Sequence, residues 1–206
     1  SNIGWGAPEL LISSFVLLIA IGTALLMLPE MTAGAGSASF QDALFTAISA
    51  SCVTGLTIQP TGSFFSHEGH VVILLLMQLG GLNIITFASF FALFNRNKLG
   101  IRQQTILQQN FNIENLDQTE NLFPRIFSFS LLIEGIGTLL LYFSWGDLPF
   151  ADRGDRLFAS LFHSVSAFNN AGFSLYADGL ATTPLNALPG LHMIVAVLIV
   201  MGALGF

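Results

Sequence analysis

The chain has 206 residues, 53% of them hydrophobic and only 9% charged, with a formal charge of −6. An ordinary soluble domain carries about 25% charged residues, so this balance argues against a water-facing domain and points to lipid. Its six basic residues form no stripe that would follow phosphates, its single cysteine, Cys52, excludes an internal disulfide, and no Cys/His spacing resembles a zinc site.

Residues 10–28 form the first apolar stretch. A helix of about 20 residues crosses the roughly 30 Å hydrocarbon layer. The stretch is too long for a signal peptide, has no basic residue before it and is followed by further membrane segments, so it reads as a retained spanning helix. Residues 40–52 are apolar but reach only about 20 Å as a helix, which suits a re-entrant helix that dips partway in and returns. A second span is expected over residues 71–94, with Gly80 and Gly81 inside it as packing or hinge residues. Arg96, Lys98, Arg102 and Arg125 then cluster in or beside the connection that follows, which makes that connection cytoplasmic and places residues 29–69 and 146–189 outside. Residues 122–143 form the third span, residues 157–168 a second short helix, and residues 188–206 the fourth span.

The outer segments repeat. Sliding the chain by 117 positions lays "ALFTAISASCVTGLT" over "SLFHSVSAFNNAGFS", so that Leu44, Phe45, Ser49, Ala50 and Gly55 coincide with Leu161, Phe162, Ser166, Ala167 and Gly172. Farther on, "GGLN" at 80–83 faces "GALG" at 202–205. The unit is helix, short re-entrant helix, non-helical strand, helix, occurring twice. A short helix entering from outside turns its C-terminus, with roughly half a negative charge, toward the membrane centre, where it favours a cation. Val53-Thr54-Gly55-Leu56 and Asn170-Ala171-Gly172-Phe173 then return as extended backbone whose carbonyls are able to replace an ion's hydration shell. For successive carbonyls to face one axis the backbone alternates its handedness, and glycine reaches positive φ without steric penalty. Asn169 and Asn170 are expected to hydrogen-bond backbone groups that lipid would leave unsatisfied.

These residues carry a resemblance. "DALFTAISASCVTGLT", "IRQQ" at 101–104 and "LFHSVSAFNNAGF" make the unit similar to the M1-P-M2 module of the Trk/Ktr/HKT superfamily of potassium and sodium transporters, and to bacterial KtrB/TrkH-like pore subunits in particular. The resemblance implies an all-α integral membrane fold of potassium-channel-like modules: residues 1–95 the first, 96–121 a cytoplasmic connection, and 122–206 a second that ends within its M2 helix. It implies a multi-pass protein of the plasma membrane that moves K⁺, or Na⁺, passively, with Gly55 and Gly172 as central filter glycines. In that family four modules in one chain surround the pore, so this chain reads as a fragment holding about half of it. It also implies a homodimer on a cytosolic nucleotide-binding gating ring of the KtrA/TrkA type, and no organic cofactor.

Other residues admit bland and sharp readings. Glu134, near the middle of the third span, is expected to face protein or water, paired with Arg125 or a neighbouring helix, with cation attraction as the sharper role. His163 reads as a satisfied packing residue and Cys52 as a small buried filler. Asp42 and Asp178 read as solvated loop acids, or as charges that concentrate cations at an outer mouth. Two rival functions remain at this point: a membrane scaffold or assembly subunit, and an intramembrane enzyme using Glu134 or His163 as a general base. The chain offers the enzyme no nucleophile-base spacing or zinc motif.

Overall fold

The computed structural model describes residues 7–34, 36–81, 116–177, 179–181 and 184–204. Helix α1 (Ala7–Leu26) is followed by the short α2 (Phe40–Ser51), the single turn α3 (Thr61–Phe64) and α4 (His67–Gly81). The long α5 (Leu116–Ser144), α6 (Arg153–Phe168) and α7 (Pro189–Leu204) complete the order. Among the described residues the fold is all-α, and the extended backbone pairs only in an isolated bridge between Thr32 and Phe65.

The short helices start where their side chains dictate. Ser39 Oγ accepts the Asp42 N–H at 3.1 Å, and the Asp152 carboxylate accepts the Asp155 N–H at 2.8 Å. Each cap satisfies an amide that the first turn leaves unpaired, and the acids Asp42 and Asp155 sit favourably against the positive end of the helix dipole. Asp42 is thereby a helix-start residue and also receives a bond from Gln59 Nε2 at 3.4 Å.

Two three-helix units result. Helix α1 packs on α2 and α4, and α2 on α4; α5 packs on α6 and α7, and α6 on α7. Corresponding glycines make the close approaches. A Cβ on Gly22 would lie 2.8 Å from both Leu76 methyls and 3.4 Å from Ala47 Cβ. One on Gly137 would meet the Ser164 hydroxyl and lie 2.9 Å from the Leu198 methyls. Small residues at such crossings let backbones approach where lipid gives no hydrophobic drive to associate.

The units interlock through α4 and α6, where the His67 ring lies 4.3 Å from Phe158 and the His70 ring 6.1 Å from Phe162. One buried cluster gathers Leu26, Ala47 and Met77 with Phe162 and Phe173 from the second unit; another gathers Leu141, Trp145, Phe168 and Leu198. Outward, the helices show apolar side chains such as Ile12 (61% exposed) and Phe143 (77%), a surface suited to lipid.

Among the described residues one helix, over Arg125–Ser144, is long and apolar enough to cross a membrane; Ile12–Leu26 and Pro189–Leu204 are shorter apolar helices. The second expected span is described only through Gly81, so its remainder to residue 94 lies outside the described residues. So do Arg96, Lys98, Arg102, the "IRQQ" segment and Asp178. The third helix starts at Leu116, earlier than the apolar run implied, and α6 starts at Arg153, because its Asp152 cap precedes the apolar run by a turn. Cys52 is exposed rather than buried, since it caps α2 and lies past the packed face of that helix.

Candidate functional site

Both short helices end in the same way. Past Ser51, the Thr54 N–H donates to the Ser49 carbonyl at 2.8 Å and the Val53 N–H to the Ala50 carbonyl at 3.3 Å. Past Phe168, the Ala171 N–H donates to the Ser166 carbonyl at 2.7 Å and the Asn170 N–H to the Ala167 carbonyl at 3.0 Å. This is the Schellman pairing, which satisfies carbonyls that a helix end leaves orphaned and needs a left-handed residue just beyond the cap. Val53 (φ +55°) and Asn170 (φ +57°) take that position. Asparagine tolerates it, whereas a β-branched valine there stores about 1–3 kcal/mol of strain.

The glycines supply the next left-handed position, Gly55 at φ +74° and Gly172 at +72°. The sequence had assigned the whole turn to glycine; the structure divides it, with the reversal at Val53 and Asn170 and the second twist at the glycines. A left-handed residue at every second position turns successive carbonyls toward the same side, where a simple extended strand would alternate them. The two strands also meet. A Cβ on Gly55 would lie 2.5 Å from the Ala171 carbonyl oxygen and 3.0 Å from Gly172 Cα, and one on Gly172 would lie 3.3 Å from Gly55 Cα. Gly55 is therefore required twice, for handedness and for close approach, while Gly172 is required for handedness and sits in a tight contact.

Polar groups line the back of the second strand. Ser166 Oγ donates to the Phe173 carbonyl at 2.7 Å, so one lone pair of that oxygen is already engaged. Asn170 Nδ2 reaches the Phe168 carbonyl at 3.4 Å, and Asn169 Nδ2 the Val165 carbonyl at 3.0 Å. Asn170 thus serves a freed carbonyl at the helix end, the expected role, whereas the Val165 carbonyl that Asn169 reaches already accepts the Asn169 backbone N–H. Asn169 Nδ2 also lies 3.3 Å from Gln78 Oε1 on α4 and 3.1 Å from Glu134 Oε1 on α5.

Glu134 is buried, and Ser130 Oγ adds a second donor to the same oxygen at 3.1 Å. A carboxyl away from water needs such partners, and these come from a neighbouring helix and its own, not from Arg125, which is exposed. His163 is buried as a packing residue, with both ring nitrogens engaged.

The long helices fix the ends of the short ones. A Cβ on Gly80 would run into the Ser51 carbonyl oxygen, and one on Gly202 into that of Phe168. Gly81 lies against the Asn169 carboxamide in the same manner. Gly80 and Gly81 thus mark the point where α4 closely approaches the ends of both short helices. The Schellman residue Val53 gave the sequence no usable signal; Gly202 was visible in the facing of "GALG" with "GGLN".

Residues 9–206 match the TrkH family model, described as a cation transport protein. The chain belongs to the TrkH family of cation transport proteins. Within that family it is 40% identical over 199 residues to the Ktr system potassium uptake protein B of Bacillus subtilis, covering 97% of this chain and 43% of the relative. It is 34% identical to the protein of the same name from Vibrio alginolyticus, over 98% of this chain and 43% of the relative. The potassium/sodium uptake protein NtpJ of Enterococcus hirae is 34% identical over 96% of this chain and 43% of its own length. The chain therefore spans less than half the length of these relatives, and its match covers both three-helix units. The expected kinship with Trk/Ktr transporters holds, and the relatives are uptake proteins rather than enzymes.

Proposed function

We propose that this chain forms about half of the pore of a monovalent-cation uptake subunit, with K⁺ as the ion and Na⁺ as the competitor it must reject or share. In this reading α1, α2 with its strand, and α4 are one M1-P-M2 module, and α5, α6 with its strand, and α7 are the second. Carbonyls of Val53, Thr54, Gly55 and Leu56 stand beside those of Asn170, Ala171, Gly172 and Phe173 as neighbours around the ion path, the Phe173 oxygen with one lone pair already taken by Ser166. The observation that carries the reading is the paired left-handed alternation at residues 53, 55, 170 and 172, together with the approach of the two glycines. The negative ends of the α2 and α6 dipoles lie where the strands begin and favour a cation there. Glu134 lies at that same end, bonded through Asn169, and adds to the negative potential.

Movement is passive, driven by about 2.3 kcal/mol per charge per 100 mV of membrane potential. The remainder of the pore, the plasma-membrane setting, homodimerisation and docking on a cytosolic nucleotide-binding ring belong to the full-length protein in this proposal. The test is Gly55→Ser and Gly172→Ser in that full-length protein, read by K⁺ and Na⁺ uptake into cells lacking other K⁺ uptake. Each substitution is expected to lower K⁺ uptake or K⁺-over-Na⁺ preference by about tenfold or more, since a left-handed non-glycine costs about 1–2 kcal/mol before any clash. Unchanged flux and preference in both variants overturns the reading.

A further inference from the structure

The second returning strand is held from behind in a way the first is not. His163 sits on α6, and its Nδ1 lies 2.7 Å from the Ala159 carbonyl, so Nδ1 carries the proton and donates it. Its Nε2 is then an acceptor, and Ser174 Oγ (3.1 Å) and the Leu175 N–H (3.4 Å) both point to it. Ser174 Oγ in turn accepts the Tyr176 N–H at 3.1 Å. A single directed chain of bonds thus runs from the backbone just beyond Phe173 into the body of α6, with every proton accounted for.

The imidazole has no freedom to drift. The Tyr176 ring stacks on it with centroids 5.6 Å apart, and Trp145 meets it edge-on at 5.5 Å. Trp145 is itself fully buried and fixed by its indole N–H to Ser160 Oγ at 2.7 Å. At the matching place in the first unit stands Thr46, whose hydroxyl sits on its Cβ and lacks the reach of an imidazole.

We propose that His163 is a positioning residue for ion selectivity: clamped between Trp145 and Tyr176, it sets the outer end of the strand 170–173 and thereby the spacing of its carbonyls. The inference rests on the reading of that strand as part of the ion path. Discrimination between K⁺ and Na⁺ depends on how closely and how firmly the coordinating oxygens are held, and a rigid supporting shell is what holds them.

The experiment is uptake of K⁺ by the full-length protein in liposomes, with Na⁺ as competitor, for His163→Leu, His163→Gln and Ser174→Ala. His163→Leu is expected to lower K⁺-over-Na⁺ preference by about tenfold and to raise the KM for K⁺ more than it lowers the maximal rate, from the loss of two hydrogen bonds to the strand end. His163→Gln, whose carboxamide oxygen reaches toward Ser174 and Leu175, is expected to restore most of the preference. Ser174→Ala keeps the imidazole and its aromatic clamp, and is expected to lower preference by about threefold. It carries the test if His163→Leu fails to assemble.

Preference unchanged in His163→Leu overturns the proposal, as does preference unchanged in Ser174→Ala where His163→Leu does not fold. Gly172→Ser in the same liposomes separates the layers. An effect of Gly172→Ser without one of His163→Leu sinks the clamp alone, and no effect of either sinks the ion-path reading beneath it.

Discussion

The two units share a scaffold and differ in how well it is satisfied. Gly22 with Ala47 and Leu76 matches Gly137 with Ser164 and Leu198, and the Thr23 hydroxyl bonds the Ile19 carbonyl as Thr138 bonds that of Glu134, both at 2.7 Å. Yet the buried hydroxyls of Ser49 and Ser51 in the first unit have no partner among the described residues, whereas Ser160, Ser164 and Ser166 in the second all donate. The first unit also holds a valine where the second holds an asparagine in the left-handed turn. The lesson is that the repeat fixes the path of the backbone while side chains divide the work: the first strand carries strain and slack, the second is braced.

Substitutions that carry features from one unit to the other sharpen that contrast. The largest effect is expected at Glu134, whose counterpart is the apolar Ile19. Glu134→Leu takes the carboxylate acceptor from Ser130 and one of three acceptors from Asn169, and should destabilise the full-length protein by about 2–3 kcal/mol in detergent unfolding, while Glu134→Gln keeps most of the bonding and costs less. If Glu134→Leu is neutral, the link among Glu134, Asn169 and Gln78 is not structural.

Next comes the turn. Asn170→Val brings the first unit's strain into the second and should cost about 1–2 kcal/mol; Val53→Asn should relieve it and raise the unfolding midpoint. Opposite signs for the two variants are the signature, and equal signs would show the turns to be inequivalent. The smallest contrast is in the serines. Ser166→Ala removes a bond to Phe173 and should cost about 1 kcal/mol, whereas Ser49→Ala removes a hydroxyl with no partner among the described residues and should be neutral or mildly stabilising. Equal losses at both positions would contradict the difference in satisfaction.

What was legible in the sequence followed from local spacing. The short helices at residues 40–52 and 157–168 were readable to within a turn, because a run too short to span followed by glycine at a fixed offset is a local pattern. Gly55 and Gly172 were readable for the same reason. Val53 was not, because valine disfavours the left-handed region and only the fold around it holds it there. The partner of Glu134 was not readable either: Arg125 is near in sequence, but Asn169 is brought in by tertiary packing of α6 on α5. His163 looked like a packing residue and is one; its bond to Ser174 depends on the strand doubling back beside its own helix, which no periodicity encodes.

The most direct measurement is anomalous diffraction from the full-length protein soaked in Rb⁺ as a K⁺ surrogate. A peak beside the touching Gly55 and Gly172 strands, within coordinating distance of carbonyls from both, is the predicted result. Carbonyls of residues 53–56 and 170–173 turned away from a common axis, with Rb⁺ bound elsewhere, would contradict the account.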